Sequence, residues 1–406
     1  MLSKLKFWFL NRYHNILNSI SFYPALIGLL FLILAIGMMA FDFSSQGKHF
    51  KSVIDWLNIK DATTARSIIS SIAAGIISLA VFSFSMVMIV LNQAASQMSN
   101  RVLDKLIGNR FQQIVLGIYI GTIVYAFFLL STIRDINSGL YIPSLSIYLL
   151  IIITISDIFL FIYFLHYITQ SVKYNVIIKK IYDNTLEIME DACPLEETTA
   201  VTINLDQKFK IKALVSGIYE GYDKNSLLHL CDKHNCMVDI VAVPGTPLLK
   251  NMVIANVDVD LAQDVKVKIA ECLFLHKSES IEENYFYGFR QLTEIALKAL
   301  SPGINDPGTA IISLRSLFEL YAYRIAHFSK TIITNKDGKA RIISEELSFD
   351  HIFLETIIPI WDYGKNDRMV QKELLLLLPQ LSSIAENENI KKLLRLVKEK
   401  SAENIF

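Results

Sequence analysis

Charged residues are missing from five stretches in the first part of the chain, 13–41, 67–100, 111–133, 136–156 and 158–172, and apolar side chains fill most of each. A helix needs about 20 mostly apolar residues to cross roughly 30 Å of hydrocarbon. Four segments reach that length: Ser21–Phe41, Ile68–Leu91, Ile114–Ile133 and Leu145–Tyr167, with Asp157 as the one charge inside them. Buried core helices are shorter and do not arrive as a set of four, so the pattern predicts four transmembrane helices. Beyond them the texture changes. Ser171–Ala192 reads as a helix ended by Cys193-Pro194. Val201–Leu205, Lys208–Val215, Met237–Val243, Met252–Val257 and Val265–Ile269 show the alternation and β-branched content of strands. Gly217, Gly221 and the turn Pro244-Gly245-Thr246-Pro247 punctuate them, and Lys224–His234 looks like a short helix. From Ile281 the period is helical again: Tyr285–Leu300, a second helix to about Phe328, a polar linker over Lys330–Arg341, then Asp350–Trp361 and Arg368–Lys398.

The expected fold is an α-helical membrane domain with four transmembrane helices (residues 1–172), a connecting helix and linker (173–200), a small β-rich module (201–280) and a helical region (281–406). The last two together make a cytoplasmic α+β domain.

Composition agrees with this division. Of 406 residues, 52% are hydrophobic and 19% charged, against about 45–50% and about 25% in an ordinary soluble domain. The net charge of zero hides an asymmetry: residues 1–172 hold 6 Lys, 5 Arg, 6 Asp and no Glu, a net of +5, and the remainder carries −5. Such a chain is neither a single soluble domain nor a nucleic-acid binder recognised by bulk charge. Lys and Arg in short loops set orientation. Lys4, Lys6 and Arg12 precede span one, Arg101, Lys105 and Arg110 lie between spans two and three, and Lys173, Lys179 and Lys180 follow span four. This places both termini in the cytoplasm of a multi-pass plasma (inner) membrane protein, although Lys48, Lys51, Lys60 and Arg66 in the first outer loop run against the rule. The lead-in with Lys4, Lys6, Phe7, Trp8, Phe9, Arg12 and Tyr13 has no cleavage motif after it. It reads either as an interfacial amphipathic helix or as a basic leader. Cys193, Cys231, Cys236 and Cys272 all follow the last span, which fits a reducing compartment.

Span two carries the most chemistry. Its uncharged run of 34 residues from Ser67 to Asn100 measures roughly 50 Å as a helix, longer than a bilayer core. Ser67, Ser71, Gly75, Ser78, Ser85, Asn92 and Ser96 form one small, polar stripe along it, interrupted by Phe82 and Ile89. The stripe reads either as a close helix-packing face, because small residues four apart let backbones approach, or as the lining of a pore gated by Phe82 and Ile89. Asp157 sits in mid-span, where a carboxylate is costly and has either a task, such as ion coordination or proton relay, or a hydroxyl partner on a neighbouring helix. In the C-terminal part, His229, Cys231, His234 and Cys236 supply zinc-ligand atoms at the wrong spacing for a ribbon or finger, so no metal is expected. Ser301, Pro302, Gly303, Asn305, Asp306 and Pro307 form the strongest local turn signal there. Asp306 is placed to cap the next helix or to bind Arg290. No catalytic signature is present: there is no Gly-x-Ser-x-Gly elbow, Walker loop, dinucleotide loop or His-Glu-x-x-His. No enzyme activity and no cofactor are expected.

Several runs together resemble a bacterial family of predicted membrane proteins, a domain of unknown function (2254). They are Ala65-Arg66-Ser67-Ile68-Ile69-Ser70-Ser71-Ile72-Ala73 and the Leu91–Leu103 run around span two, and Gln113-Ile114-Val115-Leu116-Gly117 to Tyr125 in span three. Gly288-Phe289-Arg290-Gln291-Leu292 and the most specific run, Ala299-Leu300-Ser301-Pro302-Gly303-Ile304-Asn305-Asp306-Pro307, complete the set. Gly308 departs from the family, which more often carries an aromatic residue there. The resemblance implies a four-span domain plus a cytoplasmic domain and brings no activity with it. The lead expectation is a homo-oligomeric channel or transporter-like pore, with the lipid bilayer, further copies of itself and ions or small solutes as partners, and no nucleic acid. The rival is a membrane-anchored sensor or scaffold whose cytoplasmic domain binds a ligand or protein.

Overall fold

The computed structural model describes residues 22–53, 59, 61–97, 110–136, 139–196, 208–277, 284–345 and 347–403. The lead-in at 4–13, the loop positions Arg101 and Lys105, the strand expected at Val201–Leu205 and the helix onset at Ile281 lie outside the described residues. The chain divides into two compact units, residues 1–96 with 100–173, and 97–99 with 174–406.

Among the described residues the first unit holds four helices long and apolar enough to cross a membrane: α1 (Phe22–Phe43), α3 (Ala62–Gln97), α4 (Arg110–Thr132) and α5 (Ser144–Ser171). A short helix α2 (Ser45–Val53) follows α1, and a two-stranded ribbon, β1 (Arg134–Ile136) and β2 (Gly139–Tyr141), joins α4 to α5. At 36 residues, α3 is the longest. Close packing of α1 on α4 depends on two glycines four residues apart, as expected where small residues let helices approach. A Cβ on Gly117 would lie 2.7 Å from Ile27 Cδ1, and one on Gly121 would lie 2.6 Å from Phe31 Cγ.

At one end of this unit Asp42, fully buried near the end of α1, acts as a cap supplied from another helix. Its Oδ2 accepts from Ser146 N at 2.9 Å and Ser146 Oγ at 3.1 Å, in the first turn of α5. Lys51 Nζ donates to its Oδ1 at 2.7 Å. A helix start leaves N–H groups with no partner in the helix, and a carboxylate there is favoured by hydrogen bonding and by the dipole. Tyr125 OH donates to Ser146 O at 3.1 Å, and Ile59 N donates to Ser144 Oγ at 3.1 Å, so the turn is held from three sides.

The second unit begins with α6 (Tyr174–Ala192). A five-stranded sheet runs in the order β3 (Phe209–Lys212), β7 (Val253–Val257), β5 (Val238–Ile240), β10 (Ala340–Ser344), β9 (Ile332–Thr334), antiparallel except for the β5–β10 pair. A three-stranded antiparallel sheet places β4 (Gly217–Tyr222) between β6 (Pro247–Leu248) and β8 (Leu273–His276). Helices α7 (Lys224–His234) and α8 (Gln263–Glu271) bury Leu227, Cys231, Val265 and Ile269 against Val238, Ile240, Val257 and Ile342. The remaining helices are α9 (Phe286–Ala299), α10 (Pro307–Ala326), α11 (Phe349–Gly364), α12 (Arg368–Ile384) and α13 (Glu388–Glu403). A Cβ on Gly288 would overlap the Thr185 side chain, so α9 lies directly on α6. Arg324, 1% exposed, ties the helices together. Its guanidinium donates to Tyr285 OH at 3.2 Å, His327 O at 2.8 Å and Leu347 O at 2.6 Å.

Several elements differ from expectation. Val265–Ile269 is part of helix α8 and not a strand: five alternating residues fit either period. Val265 and Ile269, four apart, reach the core, while Lys268 sits 3.8 Å from Asp264 one turn back. The stretch read as a polar linker contains the hairpin β9–β10, turned by Asn335–Gly338 with Gly338 at φ 77°. Because β10 pairs in parallel with β5, the sheet does not close at residue 280 and needs chain from the helical region. The long last helix is two, separated at Ala385 in extended conformation, and Asn387 Oδ1 starts α13 by accepting from Asn389 N and Ile390 N.

Asp42→Ala is expected to cost about 3–5 kcal/mol, because it leaves Lys51 and the start of α5 without their buried acceptor. Lys51→Ala should cost less, since the Ser146 N–H keeps its partner. Unfolding of the purified protein in detergent, followed by circular dichroism, measures both.

Candidate functional site

Buried polar groups of α3, α4 and α5 converge in the interior of the first unit. Helix α3 turns Ala62, Ala65, Ile69, Ala73, Ile76 and Ser83 inward, at helical spacings of three, four and seven. Tyr119 and Thr122, one turn apart on α4, face inward too, and Asp157 of α5 completes the group. All four are buried: Ser83 at 4% exposure, Tyr119 and Thr122 at 0% and Asp157 at 1%. Tyr119 OH lies beside Ser83 on one side and in the field of Asp157 on the other. The Thr122 hydroxyl is shared between the Asp157 carboxyl and Ile118 O, the latter at 3.0 Å.

Three atoms of this group, Ser83 Oγ, Tyr119 OH and Asp157 Oδ2, make no hydrogen bond of ordinary geometry among the described residues, and the neighbour that the Tyr119 hydroxyl does meet is Ser83. Each such buried atom costs about 1–3 kcal/mol, and hydrocarbon supplies no water to repair the loss. Elsewhere in the spans, hydroxyls are satisfied by the preceding turn: Ser78 Oγ donates to Ala74 O, Ser85 Oγ to Val81 O, Thr154 Oγ1 to Leu150 O and Ser156 Oγ to Ile152 O. The interior group is therefore the exception. A crevice of about 140 Å³ opens beside Ser83 between α3 and α4, with Gln112 and Gln113 on its wall toward the Arg110 end of α4. Tyr119 lies six residues further along that helix, about 9 Å deeper.

The span-two stripe lies elsewhere. Ser67, Ser71, Gly75, Ser78, Phe82, Ser85, Ile89 and Asn92 are all exposed on the outer face of α3. No atom comes within 4 Å of a Cβ built on Gly75. Phe82 alone makes a ring contact, edge-on to Phe161 with centroids 5.8 Å apart. The side chain of Ser96 lies outside the described residues. Asp157 thus joins Ser83, Tyr119 and Thr122, and the stripe does not join them. Sequence reasoning missed these three partners. Tyr119 and Thr122 three residues apart were a readable signal on span three, whereas Ser83 is one hydroxyl among many on span two.

In the second unit the Ser301–Pro307 turn is a connector. Asp306 Oδ1 accepts from Thr309 N at 3.1 Å and Oδ2 from Thr309 Oγ1 at 2.6 Å, capping α10, with Pro307 at its first position. Asn305 takes the left-handed conformation at φ 49°, and Ser301 O accepts from Ile304 N and Asn305 N. Pro302 and Gly303 fill the turn, and no atom comes within 4 Å of a Cβ built on Gly303. Arg290 is not placed on this turn; it lines a cleft with Gly245, Thr246 and His351. Cys231 and Cys236 are fully buried in the sheet core while His229 is exposed, so these residues do not converge. The two thiols hydrogen-bond to each other, which raises the Cys231 thiol and lowers that of Cys236. Among the described residues no group of three or more His, Cys, Asp or Glu is arranged to hold a metal ion.

Comparison with known proteins places these features in context. A family model described as a predicted membrane protein (DUF2254) matches residues 17–380. The chain is 24% identical to an uncharacterized protein of Mycobacterium bovis over 259 residues, 61% of this chain and 50% of that one. The same figures hold for an uncharacterized protein of Mycobacterium tuberculosis strain H37Rv. The chain thus spans about half the length of the curated relatives it matches. No solved structure matches it.

Two tyrosines of α4 should respond unequally to loss of their hydroxyls. Tyr125→Phe is expected to cost about 1 kcal/mol, since its OH is used by Ser146 O. Tyr119→Phe should cost less than that, because its OH meets Ser83 without a hydrogen bond of ordinary geometry. Thermal melts of both variants in the same detergent check the contrast.

Proposed function

The chain belongs to the DUF2254 family of predicted membrane proteins, and on that premise we propose that it works as a channel or transporter-like protein for protons or small cations. The observation that supports this is the interior group in which Ser83 Oγ, Tyr119 OH and Asp157 Oδ2 are buried without a well-formed hydrogen bond. Polar groups inside a membrane are retained at a cost, and they characteristically belong to ion pathways and proton relays. A carboxyl accepts when ionised and donates when protonated, while Ser and Tyr hydroxyls do both. A line from Ser83 through Tyr119 to Asp157 can therefore hand on a proton or strip water from a small cation. The crevice beside Ser83 offers an approach to that line from the Arg110 end of α4.

Association of copies belongs to the same reading. The outward stripe of α3, with Ser71, Gly75 and Ser78 exposed, would let a second helix come close, as small residues do in membranes. Asp157 would then set the passage within each subunit, and α3 would join the subunits.

The test is reconstitution in liposomes carrying an internal pH dye, with sodium and potassium gradients as parallel arms. Flux above that of empty liposomes, reduced at least about tenfold in Asp157→Asn, is expected; tenfold corresponds to about 1.4 kcal/mol. Absence of flux under every gradient, or flux unchanged by the substitution, would overturn the proposal. For the association, native mass measurement of the wild type against Gly75→Trp should show a multimer that the variant loses.

A further inference from the structure

Two loops of the second unit meet at one end of the five-stranded sheet, where β3 ends at Lys212 and β7 starts at Val253. One is the link 213–216 from β3 to β4, and the other is the turn 249–252 between β6 and β7. Hydrogen bonds fasten them side by side: Ala213 N donates to Met252 O at 2.8 Å, Asn251 N to Ala213 O at 2.9 Å, and Lys250 N to Ser216 Oγ at 2.9 Å. Met252 N donates to Leu249 O at 3.1 Å, and Asn251 takes the left-handed conformation at φ 70°, which closes the turn. The two loops therefore form one braced tip.

The tip shows apolar side chains to solvent. Leu249 is 69% exposed and Val215 53%, with Leu214 and Met252 exposed beside them. Ile211 and Ile254, on the strands beneath, already fill the core of the sheet. Apolar residues scattered singly over a surface need no explanation, but four gathered on hydrogen-bonded loops form a patch, and such patches mark interaction surfaces.

The charges around the tip have one sign. Lys212 and Lys250 lie within it, and Lys277 follows β8, whose His276 pairs with Ile218 near the start of β4. All three lysines are exposed, and none is in an ion pair among the described residues. The segments 212–218, 247–253 and 276–277 contain no Asp or Glu. Glu345 follows β10 at the same end of the sheet, separated from β7 by β5, and lines the cleft beside α9 and α11. At the other end of β3 and β7 the charges are matched: Lys266 Nζ binds Asp260 at 2.7 Å, and Asp258 accepts from Met237 N.

This pairing of an apolar tip with flanking lysines selects among partners. A nucleic acid would use the lysines and leave Leu249 and Val215 in water. An apolar protein surface would cover the tip and gain nothing from three cations. At a lipid surface both contribute, because apolar side chains enter the boundary between headgroups and acyl chains while lysines meet anionic headgroups. The flexible lysine stem lets its charge stay at headgroup level as the tip goes deeper. The chain carries four spans of its own, so it is never without a bilayer. We propose that this tip inserts into an anionic lipid surface, with Leu214, Val215, Leu249 and Met252 entering the acyl boundary and Lys212, Lys250 and Lys277 binding lipid phosphates.

The test places a nitroxide spin label at Leu249→Cys in the full chain. The labelled protein is held in nanodiscs of phosphatidylcholine alone or of phosphatidylcholine and phosphatidylglycerol in equal parts. The native cysteines are buried, and wild type treated with the same reagent gives the background. A label at Lys336→Cys, on the exposed β9–β10 turn at the opposite end of the sheet, is the reference. Collisions with oxygen, which concentrates among acyl chains, and with a water-soluble nickel chelate report what surrounds each label. In the anionic discs the label at position 249 should favour oxygen over nickel several-fold more than the reference does. Most of that preference should disappear in phosphatidylcholine alone, and in the triple variant Lys212→Gln, Lys250→Gln, Lys277→Gln, whose circular dichroism spectrum should match the wild type. A label as open to nickel as the reference in both lipids would overturn the proposal, as would an oxygen preference indifferent to anionic lipid and to the triple substitution. Shielding from oxygen and nickel alike would also overturn it, because protein would then cover the tip. None of these readouts depends on flux.

Discussion

Hydrocarbon offers no hydrogen bonds, and that constraint organises the first unit. Every polar group carried into the spans must find its partner in the protein. Ser78, Ser85, Thr154 and Ser156 solve this alone, by bonding back to the carbonyl four residues earlier. Asp42 solves it with neighbours, gathering Lys51 and the first turn of α5 around one carboxylate. Ser83, Tyr119 and Asp157 meet it least completely, with Tyr119 OH beside Ser83 and the Asp157 carboxyl beside Thr122.

In the second unit a different constraint takes over: distant pieces of chain must complete one another. The five-stranded sheet needs β10, which comes about 100 residues after β5 in the chain and lies against it in parallel. A parallel pair cannot be closed by a tight turn, so the helices between these strands are part of the connection. Arg324 fastens that connection through Tyr285, His327 and Leu347. Tyr285 and Leu347 directly precede the segments that start α9 and α11, the helices that carry the cleft. The same long connection that completes the sheet thereby brings the Pro244–Pro247 turn to face Arg290 and Glu355.

Much of this was legible in the residues. Four uncharged runs of membrane-spanning length read as helices because hydrophobic length is a local property. Lys224–His234 and the Asp306-Pro307 helix start were legible for the same reason: a cap acts within one turn. Local signals failed where two periods fit equally, as at Val265–Ile269. They failed again where a strand is too polar to announce itself, as with the hairpin at 332–344. The stripe on span two shares one exposed face of α3 from Ser67 to Asn92. Its direction was not readable, because helical spacing places residues on a common face without saying what that face meets.

By itself, then, the chain of residues determined the membrane spans, the division of charge between a +5 front and a −5 back, most of the helices and the caps that begin them. All of these follow from interactions between residues a few positions apart or from the bulk solvent preference of a segment. The tertiary structure alone decided which face of α3 is interior, that Ser83 and Tyr119 stand with Asp157, that Asp42 serves a helix 104 residues away, and that the 213–216 link lies against the 249–252 turn. Those are meetings of groups remote in sequence, and whether a buried polar atom is satisfied can be judged only once every neighbour is in place.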